Sequence, residues 1–368
     1  MTPARPTLPR FAGEAADNPN PLRQRMSGRT TTKMHREAGE AATAVRAQLE
    51  HDSEAMRQLG ASLRDLQPRI VVTCARGSSD HAATYAKYLI ESHAHVATSS
   101  AAPSISSIYE AGTDLTGALF IAISQSGRSP DLLSTVASAR AHGARIVALS
   151  NSADSPLAAT ADHFIPLRAG AETSVAATKS YIASLSAVLH LVAHWTLNRD
   201  LLDALNQLPA QLERAWQLDW QDALAPLQSA TSLFVVGRGY GLGIAQEAAL
   251  KLKETSGLHA EAFSSAEVQH GPMALVRAGF PVLVFSQNDD TREGIRLLTR
   301  AFVERGAAVM CAGLQSTGSI PLPTIDADPV IEPILMVQTF YGLANAVAIA
   351  RGFNPDLPPH LLKVTETR

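Results

Sequence analysis

Short unbroken runs of Val, Ile, Leu and Ala alternate along the chain with longer stretches in which apolar residues recur every three or four positions. The runs at residues 70–75, 118–124, 145–151 and 163–167 predict strands, and the periodic stretches at 80–92, 131–142 and 178–198 predict helices. Further on, 232–237, 281–286 and 307–313 read as strands, with helices at 243–256, 292–305 and 334–351. A strand that is apolar throughout is buried on both faces, and the intervening helices supply the cover. The pattern predicts an α/β fold of two doubly wound parallel-sheet lobes, over residues 34–200 and 228–352. Residues 201–227 are polar, rich in helix formers and carry Trp216 and Trp220, so they read as a helical connector.

The halves resemble a diverged repeat. Ser124-Gln125 is followed by a helix and then Gly143; Ser286-Gln287 is followed by a helix and then Gly306. Residues 1–33, broken by five prolines and locally basic, read as a flexible, solvated N-terminal arm with no signal-peptide apolar run. Residues 353–368 form a C-terminal tail whose three prolines at 355, 358 and 359 predict extended chain. The longest apolar stretch, 181–197, contains His190, His194 and several serines, which fits a buried or interface helix better than a membrane span.

Composition narrows the class. With 46% apolar residues in 368, the chain can bury a large core, and a net charge of −3 gives no pull toward nucleic acid or membrane. Cys74 and Cys311 both fall in or beside apolar runs, which predicts buried thiols and a reducing, cytoplasmic setting.

The candidate chemistry sits at strand-to-helix turns. SQSGRS at 124–129 places three hydroxyls, a glycine and a run of amides at a helix start, an arrangement suited to a phosphate. CARGSSDHA at 74–82 ends a strand and opens a helix, with Asp80 as the expected cap and Ser79 within reach of the same anion. In the second half the equivalent of the phosphate loop reads SQNDDT, whose Asp289 and Asp290 repel an anion. GRGYGLG at 237–243 fails the dinucleotide pattern because Leu242 stands where glycine is needed. Lys251 and Glu254, three apart, share a helix face, and two nearby lysines keep the carboxylate ionised for proton abstraction beside a carbonyl. His270, before a Gly-Pro turn, is placed to move protons near neutral pH, whereas Glu261 and Glu267 read as caps or solvated charges. HLVAH at 190–194 lacks the glutamate of a zinc helix.

Taken together, SQSGRS, AATKS at 176–180, ALKLKE at 249–254, HAEAF at 259–263, HGP at 270–272 and a lysine near the C-terminus resemble the sugar-isomerase (SIS) half of glucosamine-6-phosphate synthase. The similarity runs from about residue 34 to the end. The synthase's other half, a glutamine-hydrolysing domain with an N-terminal cysteine nucleophile, is expected to be missing, since Thr2 follows Met1. ARGSSDHAA, SQSGRSPD, SVAATKS and the terminal KVTETR are similar to the second, synthase-related type of glucosamine-6-phosphate deaminase. This implies conversion of glucosamine 6-phosphate and water to fructose 6-phosphate and ammonia. The alternatives are an ammonia-dependent synthase or isomerase, a different amine such as galactosamine 6-phosphate, and a non-catalytic amino-sugar-phosphate sensor.

The resemblance also implies roles. Ser79, Ser124, Gln125, Ser126 and Ser129 match phosphate and sugar ligands, and Val175 a backbone contact. Glu254 matches the base between C1 and C2, and Lys251 a cation steadying the enolamine oxygen. His270 matches a ring-opening group that reaches the site from the neighbouring subunit of a homodimer. Lys363 matches the synthase lysine that forms a Schiff base with the ketose, delivered by a tail acting as a lid. No metal or organic cofactor is implied.

Overall fold

The computed structural model describes residues 32–361 and 363. The arm expected over residues 1–33 lies outside the described residues except for Thr32 and Lys33, as do residue 362 and the chain beyond Lys363. The described chain opens with α1 (Lys33–Gly39) and α2 (Ala41–Leu66). It then alternates through β1 (Ile70–Cys74), α3 (Ser78–His93), β2 (Thr98–Ser100), α4 (Pro103–Ser107), β3 (Ala118–Ser124) and α5 (Pro130–Ala141). The front lobe is completed by β4 (Arg145–Ser150), α6 (Pro156–Thr160), β5 (His163–Pro166) and α7 (Lys179–Thr196).

Helices α8 (Arg199–Trp216) and α9 (Leu224–Gln228) lead to β6 (Ser232–Gly237), α10 (Gly241–Ser256) and β7 (His259–Ser264). Two 3₁₀ turns, Glu267–His270 and Pro272–Leu275, precede β8 (Pro281–Phe285) and α11 (Arg292–Glu304). The rear lobe closes with β9 (Ala308–Ala312), β10 (Ile320–Leu322) and α12 (Glu332–Ala350).

Both sheets are five-stranded and parallel, as the apolar runs predict. The front order is β2-β1-β3-β4-β5, and the rear order, read from its other edge, is β7-β6-β8-β9-β10. Both therefore run second, first, third, fourth, fifth. In such a sheet the chain reverses direction of winding between the first and third strands, and the crevice at their carboxyl ends is where ligands gather. That crevice lies between β1 and β3 in front and between β6 and β8 behind.

The central strands and the edge strand β5 match the sequence expectation to within a residue or two, and the edge strands β2, β7 and β10 were absent from it. β2 reads Thr-Ser-Ser, β10 contains Pro321, and β7 carries the exposed His259 and Glu261. An edge strand needs only one paired side and one covered face, so its composition carries little apolar signal.

The expected helical connector contains the amphipathic helix α8, which buries Leu201, Leu205, Leu208 and Leu212. One further expectation is corrected. Residues 353–359 form turns instead of extended chain. Pro355 and Pro358 are buried, and Asp356 accepts the Lys33 and Met34 amides at 2.8 Å each. Proline fixes φ near a value that turns also use, so side-chain acceptors at neighbouring positions decide the outcome.

Helix α7 is buried on nearly all sides, as expected for a core helix. So is α12, long and apolar enough to cross a bilayer but 78% buried within the protein. The lobes meet where α3 crosses α10. A Cβ at Gly243 would lie 2.5 Å from the His81 carbonyl oxygen, so only glycine permits this approach. Tyr181 donates to the Gly243 carbonyl at 3.1 Å, and Tyr85 donates to that of Val330 at 3.1 Å. Each hydroxyl, buried with its ring, is thereby satisfied across the two halves.

Candidate functional site

The SQSG turn leaves β3 and enters α5 at the front crevice. Ser124 Oγ accepts the Gly127 amide at 3.0 Å, and Ser126 Oγ accepts the Arg128 amide at 3.4 Å. The end of β4 pins the turn through Ser150 Oγ and the Asn151 amide, both donating to the Gln125 carbonyl. Gly127 has φ +64°, and a Cβ there would lie 2.4 Å from Ser155 Oγ. Glycine is thus required by both backbone conformation and space. Ser129 stands at the N-cap of α5 with no capping bond from its side chain, followed by Pro130. The hydroxyls of Ser124 and Ser126 accept from backbone and keep their own hydrogens for an acceptor in the crevice.

The neighbouring turn after β1 differs from expectation in one respect. The N-cap of α3 is Gly77, and Asp80 lies within the first turn with no capping bond. Half-burial lifts the Asp80 carboxyl above the usual carboxylate range. Ser79 is half-buried in the first turn of α3. Arg76 reaches across to Asp131, the second residue of α5, with Nε to Oδ2 at 3.0 Å. The Asp131 side chain is only 2% exposed, so this pair ties the two crevice loops together.

A third loop, residues 170–178, is held by two buried carboxylates that the sequence reading did not single out. Glu37 accepts the Thr173 amide at 2.6 Å, its hydroxyl at 2.9 Å and the Ser174 amide at 3.1 Å. Glu172 accepts the Thr178 amide at 2.9 Å, and from Ser180 the amide at 3.2 Å and hydroxyl at 2.5 Å. Val175 is half-buried between these anchored positions. Gln125 of the SQSG turn donates to Glu172 Oε2 at 3.4 Å. Lys363 donates to the Ser174 carbonyl at 2.6 Å and lies 3.6 Å from Glu172 Oε2. The tail lysine therefore joins the front-lobe loops.

From the rear lobe, α10 contributes Glu247, Lys251 and Glu254 on one face. Lys251 is 1% exposed, hydrogen-bonded to Glu254 and 3.6 Å from Glu247. Burial pulls the Lys251 ammonium down, but the carboxylates of Glu247 and Glu254 outweigh it and hold its pKa above the ordinary value. Glu172 of the front lobe also acts on that ammonium, so the two lobes share one electrostatic centre. Lys253, the second lysine expected to support Glu254, is exposed and makes no ion pair with it. Glu247 is fully buried and accepts from Ser78 Oγ at 3.2 Å and Tyr341 OH at 3.1 Å, with His81 Nδ1 at 3.1 Å. It is the polar junction of the lobes.

Among the described residues, no hydrogen bond or ion pair joins His270 to Lys251 or Glu254. His270 is exposed at the end of a 3₁₀ turn after the edge strand β7. Glu261 and Glu267 are exposed as well. At the rear crevice, Gln287 donates to the Arg238 carbonyl at 2.8 Å and to Asp289 at 2.9 Å, and Asp289 also accepts the Thr291 amide. A carboxylate already occupies the place an anion would take. His190 packs in the α2–α7 interface, where burial and then the neighbouring His194 push its pKa down to about 3.

Two segments, residues 66–194 and 226–320, match the SIS domain model, one in each lobe. The glutamine–fructose-6-phosphate aminotransferase [isomerizing] of Methanothermobacter thermautotrophicus is 34% identical over 300 residues, covering 78% of this chain and 50% of its own length. The chain thus spans about half the length of that curated relative. A Silicibacter pomeroyi crystal structure, provisionally named a phosphosugar isomerase, superposes with a TM-score of 0.85 at 40% identity. It covers 88% of this chain and all of its own. The glucosamine-6-phosphate deaminase of Thermotoga maritima shares the fold, with a TM-score of 0.74 at 21% identity over 91% of this chain and 100% of its own. With the domain model matched over more than half of its length, the chain belongs to the SIS domain family.

Proposed function

We propose that the protein is a glucosamine-6-phosphate deaminase, converting glucosamine 6-phosphate and water to fructose 6-phosphate and ammonia. The observation that carries this reading is the buried Lys251 bonded to Glu254, on the face of α10 that shares its field with Glu172 beside the SQSG turn. An acid–base pair and an anion-suited loop on opposite lobes fit a sugar whose phosphate is held at one end and whose C1 and C2 are worked at the other. Names among the relatives, aminotransferase and phosphosugar isomerase, support the same substrate class.

In this reading Ser79, Ser124, Gln125, Ser126 and Ser129 hold the phosphate and sugar, and the backbone at Val175 lines the chain of hydroxyls. His270 from a second subunit opens the ring. Glu254 takes the proton from C2 of the open-chain amino aldose and returns it to C1. Lys251 stabilises the charge that develops on the oxygen at C1. The product of proton transfer carries C2=NH; water adds to C2, the nitrogen leaves as ammonia, and the ketose remains. Lys363, held on the Ser174 carbonyl, brings an amine to the same loop. The Arg128-Ser129 continuation of the phosphate loop and the terminal KVTETR favour deamination over synthesis.

Purified protein incubated with glucosamine 6-phosphate should release ammonia and fructose 6-phosphate in equal amounts. Ketose formation without ammonia from a non-aminated aldose phosphate, with glucosamine 6-phosphate untouched, would establish a plain isomerase instead. Amination of fructose 6-phosphate by ammonium with no net reverse flux would establish the synthetic direction.

A further inference from the structure

Glu172 has more partners than holding a loop requires, and its two oxygens face different ways. Oε1 accepts the Thr178 amide and hydroxyl and the Ser180 amide at the start of α7, a bonding pattern that fixes the helix N-terminus. Oε2 meets Ser180 Oγ at 2.5 Å, Gln125 Nε2 at 3.4 Å and Lys363 Nζ at 3.6 Å. A carboxylate oxygen has two lone pairs, so three donors compete there and the two longer contacts are the ones that exchange. Gln125 belongs to the SQSG turn, and Lys363 belongs to the tail.

We infer that Glu172 is the positioning residue through which an occupied phosphate loop seats Lys363. A phosphate on the turn draws the Gln125 amide toward itself, which leaves Glu172 Oε2 to Ser180 and Lys363. The side chain of Glu172 is shielded from water, so its charge is poorly screened and the freed acceptor acts strongly on the ammonium. Ligand at one end of the site thereby tightens the tail at the other. This inference rests on the reading of residues 124–129 as the phosphate loop, and its test reads tail position instead of turnover.

A Leu361→Cys variant places a reporter thiol on an exposed tail position two residues from Lys363, while Cys74 and Cys311 are buried and do not compete for alkylation. Fructose 6-phosphate and inorganic phosphate are the probes, with binding followed by calorimetry. Saturating fructose 6-phosphate should slow alkylation of the introduced thiol about fivefold or more. Adding Glu172→Gln should abolish that slowing while fructose 6-phosphate still binds. Adding Gln125→Leu should slow alkylation before any ligand is present, which decides the matter if Glu172→Gln does not fold. Equal slowing with and without Glu172→Gln, or an unchanged unliganded rate in Gln125→Leu, overturns the inference alone. Failure of the Leu361→Cys protein to bind either probe overturns the phosphate-loop reading and the inference together.

Discussion

Glu247 and Glu254 flank one buried ammonium yet meet different surroundings. Glu247 is sealed from solvent among Ser78, His81 and Tyr341, whereas the Glu254 side chain is 22% exposed and bonded to Lys251. A carboxylate sealed among donors cannot be reached by a substrate; one with an exposed edge can. Glu254→Gln should therefore lower kcat by about 10²- to 10⁴-fold with KM nearly unchanged, because only proton transfer is removed. Steady-state kinetics on glucosamine 6-phosphate check this, and a normal kcat would remove Glu254 from the role. Lys251 and Glu254 were visible in the sequence because helix periodicity puts positions three apart side by side. Glu247 was not, since its partners Ser78, His81 and Tyr341 lie 169, 166 and 94 positions away. Glu172 escaped for a related reason: a lone acid in a loop looks solvated until the fold buries it.

Among the elements, α7 and α10 carry consequences that can be measured. On α7, His190 has a pKa of about 3 in the fold against 6.5 for an ordinary imidazole, burial being the main cause. Below about pH 6.5 the unfolded chain takes up a proton there and the folded chain does not, so stability falls as pH drops, until the folded imidazole titrates near 3. Urea unfolding at pH 7.5 and 5 should show a loss, up to roughly 1.4 kcal/mol per pH unit from this group, that His190→Leu diminishes. An unchanged pH dependence in that variant would assign the loss to other groups. On α10, alanine at Gly243 gains about 1 kcal/mol of helix propensity. The added methyl meets the His81 carbonyl at 2.5 Å, a backbone atom that cannot rotate away. Overpacking of that kind costs about 1–3 kcal/mol, so Gly243→Ala should lower the melting temperature, and a rise would mean that the α3–α10 crossing relaxes freely.

At the scale of the whole molecule, one winding serves two lobes that have diverged at the crevice: the front turn offers hydroxyls and amides, and the rear turn is filled by Gln287 and Asp289. His270 stands exposed with no bond to Lys251 or Glu254, which motivates the expectation that a second copy completes the site. Mixing inactive Glu254→Gln and His270→Asn proteins tests it. If His270 acts across a dimer, half the reassorted dimers regain one intact site, and activity returns to about a quarter of wild type. If it acts within its own chain, no activity returns. The amino-acid sequence by itself determined the two parallel sheets, their central strands and the turns that carry Ser79, Ser124–Ser129 and the Lys251–Glu254 pair, because apolar runs, helix periodicity and turn chemistry are local properties. The tertiary structure alone decided the edge strands β2, β7 and β10, the turns in the tail, the junction at Glu247, and the meeting of Gln125 and Lys363 on Glu172. Each of these depends on groups far apart in the chain becoming neighbours, and no local pattern encodes that.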